Sequence, residues 1–194
     1  MQIEIKKPTD FKKVPWKNGL GFTLELAAND GGTMSAFDWR LSIATVSKDG
    51  VFSDFSGYWR NLILLSGNGI ELTHSDSPTN LLKNSLDVAK FNGGAVTNGR
   101  LIDGEITDFN VMVKPEKYHL VVETYPEHTH TDVNVDELVF VYSLQSAAEL
   151  VYNGESHMLP AGHLLRLTNT TINGDEKMAL RGEAMIVISL TERH

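Results

Sequence analysis

The chain contains no cysteine. Disulfides, thiolate metal sites and a cysteine nucleophile are therefore excluded. No apolar run approaches the roughly 20 residues that a membrane-crossing helix needs. The opening, Met1-Gln2-Ile3-Glu4-Ile5-Lys6, lacks the apolar core of a secretory signal. These absences predict a cytoplasmic protein with no membrane partner, in which the sequon Asn169-Thr170-Thr171 carries no meaning. An excess of basic charge is missing too. The formal net charge is −8, and the densest basic stretches, Lys6-Lys7 and Lys12-Lys13, read as solvated surface. A nucleic-acid partner needs a basic face and is not expected. The sequence also has no nucleophile elbow, no H-E-x-x-H, no P-loop and no dinucleotide fingerprint.

What the chain does have is strand periodicity. Phe22 to Leu26 alternates apolar and polar residues, and Phe37, Trp39, Leu41 and Ile43 alternate with Asp38, Arg40, Ser42 and Ala44. Further runs at Asn61 to Leu65, Phe109 to Val113, Leu120 to Thr124, Leu138 to Tyr142, Glu149 to Tyr152 and Ala184 to Leu190 are short and rich in Val, Ile, Leu and aromatics. The best helix candidate, Asn80 to Asp87, is short. Asn-Gly occurs at Asn18, Asn68, Asn92, Asn98, Asn153 and Asn173, and Asp-Gly at Asp30, Asp49 and Asp103. These pairs suit the positive φ that two-residue hairpin turns demand. Strands punctuated this often predict an all-β sandwich, jelly roll or barrel. The polar, proline-containing Lys114-Pro115-Glu116-Lys117 is the expected join between an N-terminal half, 1–114, and a smaller C-terminal half, 115–194.

Five strings, in order along the first half, carry a family resemblance. They are Pro15-Trp16-Lys17-Asn18-Gly19-Leu20-Gly21-Phe22-Thr23, Phe37 to Ala44, Gly50 to Gly57 followed by Arg60, Leu65 to Gly69, and Asp108-Phe109-Asn110-Val111-Met112. Together they resemble the HutD/Ves family, with Leu20 where the family signature has a glycine. The C-terminal half matches only in general character. The resemblance implies a double cupin, two jelly-roll halves in one chain, and an association with bacterial histidine utilisation or stress response.

Metal-binding cupins place two imidazoles on one strand and a third on a facing strand. Here the first pair of positions falls on Ser56-Gly57-Tyr58 and the third on Leu165, although Gly154, Pro160, Gly162 and Asn169 keep the surrounding turn pattern. His163 lies two positions before Leu165. His128-Thr129-His130 is the remaining metal candidate, but Pro126 to Asp136 is polar and reads as a loop with solvated histidines. No metal and no cofactor is expected.

Arg40, Ser42 and Ala44 share one strand face, and Asp108, Asn110 and Met112 share another. Facing solvent, Arg40 would make only a surface ion pair. The resemblance at these positions favours the inward reading, in which a cavity carries an arginine, an acid and an amide. The expected ligand-binding set is Trp16, Asn18, Trp39, Arg40, Ser53, Arg60, Asp108 and Asn110. The expected ligand is a small anionic metabolite whose carboxylate meets Arg40 or Arg60. A non-catalytic, metal-independent binder leads over a metal-independent enzyme, and a homodimer stays open.

Overall fold

The computed structural model describes residues 2–15, 22–29, 31, 36–169 and 176–193. Among these the only helical element is a single 3-10 turn, Pro8–Asp10. Everything else regular is strand. In chain order these are β1 (Gln2–Lys6), β2 (Lys12–Pro15), β3 (Phe22–Ala28), β4 (Trp39–Val46), β5 (Gly50–Val51), β6 (Trp59–Ser66), β7 (Ile70–His74), β8 (Asn80–Leu82), β9 (Val88–Asn92), β10 (Thr97–Leu101) and β11 (Ile106–Val113). Then come β12 (Tyr118–Tyr125), β13 (Thr129–Asn134), β14 (Leu138–Ser143), β15 (Ala148–Tyr152), β16 (Glu155–Leu159), β17 (Leu164–Thr168), β18 (Lys177–Gly182) and β19 (Met185–Glu192). No helix among the described residues is long and apolar enough to cross a membrane.

The chain divides into two compact units. The first runs Phe11–Lys117; the second combines Tyr118–His194 with Met1–Asp10. In the first unit a six-stranded antiparallel sheet, β2-β3-β4-β11-β6-β9, faces a four-stranded one, β5-β10-β7-β8. Leu62, Leu64, Ala89, Phe91 and Ile106 from the larger sheet and Ile70, Leu72 and Leu82 from the smaller one close one apolar core. Inward residues recur at every second position, as a sandwich requires. At the end of the unit, Lys114 and Lys117 place their ammonium groups 3.0 and 2.7 Å from the Asp38 carboxylate, which ties the exit of β11 to the start of β4.

In the second unit the sheets are β1-β17-β14-β19-β12 and β13-β18-β15-β16. Val139, Val141, Leu150, Leu165, Leu167, Met178, Leu180 and Val187 fill the space between them with their own side chains. β15 and β16 form a two-residue hairpin, Tyr152 opposite Glu155. Its tip, Asn153-Gly154, has positive φ at both residues, 49° and 79°, which is the type I′ geometry an Asn-Gly pair favours. β1 pairs with β17 from Gln2↔Thr168 to Lys6↔Leu164. Residues 2–10 therefore belong with the second unit, which corrects a simple cut at residue 114.

Two local expectations are also corrected. Asn80 to Asp87 is not helical: β8 occupies its start, because Leu82 is needed in the core and Asp87 accepts from the Lys83 and Asn84 amides in a tight turn. The segment 126–136 is not a loop throughout. Thr129–Asn134 is β13, paired residue by residue with β18, and Val133 anchors it in the core.

Candidate functional site

The site grows from three adjacent strands of the first unit. β4, β11 and β6 pair in register, so that Arg40, Met112 and Arg60 lie side by side, then Ser42, Asn110 and Leu62, then Ala44, Asp108 and Leu64. Directly opposed residues of antiparallel strands point to the same face. One face thus carries two arginines, a serine, an amide and an acid, continuous with the apolar core. Between this face and the segment from Val46 to Phe55 lies a cavity of about 510 Å³. Its walls include Arg40, Ser42, Phe52, Ser53, Phe55, Arg60, Asp108, Asn110 and Met112.

Both guanidinium groups are almost fully buried, each residue being 3% exposed. Arg40 donates from Nε to Glu25 Oε2 at 2.7 Å. Arg60 donates from Nη2 to Asn110 Oδ1 at 2.8 Å, and Asn110 Nδ2 donates in turn to Asp108 Oδ1. The orientation of the Asn110 amide follows from its neighbours: arginine only donates, so the amide oxygen must face it and the amide nitrogen must face the acid. Phe91, Phe55 and Phe52 surround the Arg60 guanidinium with ring centroids 5.1, 5.3 and 5.6 Å from its central carbon. Such faces attract a cation and keep water away from it.

Burial dominates the titration of both ends of this chain. It pushes the Asp108 carboxyl up to about 7, against the opposing pull of the Arg60 charge and the Asn110 hydrogen bond. It lowers Arg60 to about 10, with the Asp108 charge opposing. Three buried polar atoms at the site have no hydrogen-bond partner among the described residues: Arg40 Nη2, Arg60 Nε and Asp108 Oδ2. Unpaired buried groups are rare and cost roughly 1–3 kcal/mol each. Two free donors and one free acceptor beside a cavity form a set that a ligand with complementary oxygens can satisfy.

Of the residues expected from sequence, Arg40, Ser53, Arg60, Asp108 and Asn110 meet at this cavity. Trp39 does not line it. It neighbours Arg40 on β4 and points to the opposite face with Leu41 and Ile43, as a period of two requires. Trp16 and Asn18 lie outside the described residues, as do the Asn18-Gly19 and Asn173-Gly174 turns. Sequence reasoning missed Glu25, Phe52, Phe55 and Phe91. Phe52 and Phe55 lay inside a string already singled out, and their spacing around Ser53 was the available signal. It also missed His74, which is buried against Phe91 at 4.6 Å between ring centroids and held between Thr97 Oγ1 and Asn80 Oδ1, both at 3.0 Å.

Among the described residues no three His, Asp or Glu side chains gather as a metal would need. At the cupin ligand positions, the Ser56 hydroxyl donates to Asp54, the Tyr58 hydroxyl donates to the Phe37 carbonyl, and Leu165 is core. His130 Nε2 accepts from Arg181 Nε at 3.3 Å.

The HutD family model matches residues 8–187. A Pseudomonas putida protein named "uncharacterized 21.2 kDa protein in hutC 3′ region" is 37% identical over 117 residues, 60% of this chain and 61% of that protein. Protein Ves of Escherichia fergusonii is 36% identical over 109 residues, 54% of this chain and 56% of its own length. The matched stretch spans less than two thirds of both curated relatives. HutD from Pseudomonas fluorescens SBW25, in its formate condition, is similar over 100% of both chains with a TM-score of 0.84 and 30% identity. A cupin 2 conserved barrel domain protein from Leptotrichia buccalis matches at a TM-score of 0.54 and 10% identity over 88% of each chain, a likeness of fold alone.

Proposed function

The chain belongs to the HutD family, and from that premise we propose that it is a metal-independent binder of a small carboxylate metabolite, held in the cavity of the first unit. The observation that carries this reading is the pair of buried, unpartnered N–H groups on Arg40 and Arg60 beside that cavity. Arginine donors match carboxylate oxygens in spacing and charge. With a net charge of −8, the molecule as a whole repels anions, so recognition rests on these local cations. Phe52, Phe55 and Met112 supply apolar wall for the remainder of the ligand.

In this reading the two sandwiches are two cupin halves, of which the second has an apolar, filled interior and serves as scaffold. The relative named for the hutC region supports a ligand class drawn from histidine breakdown, such as urocanate or a formylated glutamate, and a cytoplasmic setting. Turnover is the second reading, favoured by a single observation: a carboxyl held near 7 suits general acid–base work.

A thermal-shift screen of histidine-pathway acids tests the binding. A ligand at a hundred times its Kd adds about 2.7 kcal/mol of stability. Calorimetric titration of wild type, Arg40→Ala and Arg60→Ala with the best acid then tests the site. Truncating either arginine is expected to cost at least about 2 kcal/mol of affinity. Folded variants that bind as tightly as wild type place the ligand elsewhere. Product formation from any binding acid decides for an enzyme.

A further inference from the structure

We propose that the cavity takes up a carboxylate together with one proton from solvent, and that Asp108 Oδ2 receives that proton. The inference rests on the carboxylate reading above and deepens it.

The two buried cations at the cavity already have carboxylates matched to them. From β3 comes Glu25, paired with Arg40 on β4. From β6 comes Arg60, which reaches Asp108 on β11 through Asn110. Lys48 and Asp49, in the connection after β4, also stand on the wall, and Asp49 Oδ1 accepts from the Leu101 amide at 2.8 Å, tied to β10. β5, β9 and β10 contribute no ionisable side chain to the wall. His74 on β7 lies behind the Phe91 ring.

Two buried cations therefore face two carboxylates. A ligand carboxylate at the free Nε of Arg60 makes a third, and it competes for the one cation that stabilises ionised Asp108. A like charge close by in a water-poor site favours the neutral form of an acid. Glu25 keeps a direct ion pair and is partly open to solvent; Asp108 is fully buried and has no direct cation contact. Asp108 is thus the group that yields.

The structure also fixes where the proton goes. Asp108 Oδ1 already accepts from the Asn110 amide, whose orientation is dictated by Arg60. Oδ2 is buried with no partner. A proton on Oδ2 turns an unpaired acceptor into a donor, and the incoming carboxylate is the acceptor it lacks. Burial has already pushed this carboxyl up to about 7, so the coupling falls in the neutral range. Binding that raises an acid's affinity for its proton must itself strengthen as pH falls.

Titration calorimetry with formate, and with urocanate as the larger acid, tests this on the intact wild-type chain. Each titration is run in phosphate and in Tris, whose ionisation heats differ. The expected result is a buffer-dependent heat corresponding to proton uptake, approaching about one proton per ligand near pH 8. Over the same range Kd weakens by up to about tenfold per pH unit. In Asp108→Asn, the buffer dependence disappears and Kd becomes flat with pH. Identical heats in both buffers for wild type, or uptake that survives in Asp108→Asn, would overturn the proposal while leaving carboxylate binding intact. If neither acid binds at any pH, the carboxylate reading itself falls. Should Asp108→Asn not fold, the wild-type buffer pair still decides.

Discussion

Replacing Arg60 by Met keeps an unbranched side chain and removes the charge. In wild type the guanidinium is 3% exposed, donates to Asn110 and lies between three phenylalanine rings. Removing one member of a buried charge pair commonly costs about 3–5 kcal/mol, because the other is stranded. Asp108 has an escape: it can stay protonated. The cost should therefore depend on pH, and its sign follows from linkage. Asp108 has a folded pKa raised to about 7, above its unfolded value, so its contribution is fully present at low pH and is lost as pH rises through the folded pKa. In wild type that loss levels off above about 7, where the native state ionises. Without Arg60 the folded pKa climbs further and the loss continues. Below about pH 6 both native states hold the proton, so the difference between them is flat. Above about pH 7 the Arg60→Met penalty grows by about 1.4 kcal/mol per pH unit. The lost hydrogen bond and ring contacts add a constant that cancels from the slope. Urea unfolding from about pH 5 to about pH 9 reads this directly. Trp39 and Trp59 lie in the Phe11–Lys117 unit and Trp16 falls within the same span of sequence, so tryptophan fluorescence reports on the unit concerned. A penalty that is constant across this range, or larger at pH 5 than at pH 9, refutes the buried coupling.

Two further outcomes are expected. Gly99→Ala would set a Cβ 2.5 Å from Phe52 Cε2 and 3.1 Å from Ile70 Cδ1, driving the Phe52 ring toward the cavity; stability should fall by about 1–3 kcal/mol and carboxylate affinity should fall with it, and calorimetry showing affinity unchanged would contradict the assignment of Phe52 to the wall. Elemental analysis of untagged protein after chelator dialysis should find no stoichiometric zinc, iron or nickel, since Ser56, Tyr58 and Leu165 occupy the imidazole positions; metal lost on His128→Ala and His130→Ala would implicate that pair instead.

The strands that sequence made legible are those with apolar alternation, such as β4 and β11, and the short continuous apolar run of β14. β10 was hidden because Asn98-Gly99 reads as a turn. In the fold it is strand, with Gly99 opposite Leu72 and Gly50, and the glycine is there because Phe52 packs over it. Alternation put Arg40 on one strand face and Asp108 and Asn110 on another, and it was the family resemblance at these positions that favoured turning those faces inward. The same alternation argued against Trp39, the immediate neighbour of Arg40. Glu25 and Phe91 were not legible. They meet Arg40 and Arg60 only because strand pairing joins positions 15 and 31 residues apart in sequence, and local patterning carries no trace of such meetings.

The pairing of β1 with β17 sets a timetable for synthesis. Ile3 leaves the ribosome long before Leu167, its partner 164 positions later (167 − 3). At ordinary elongation speeds the first strand waits roughly 10–30 s for the edge it completes. The Phe11–Lys117 unit emerges entirely within that interval and can form its core while β1 remains unpaired. During translation the chain therefore exposes a short, alternating strand ahead of the first unit, and lysines such as Lys6 and Lys7 at its boundary are the kind of charge that blunts an unpaired edge.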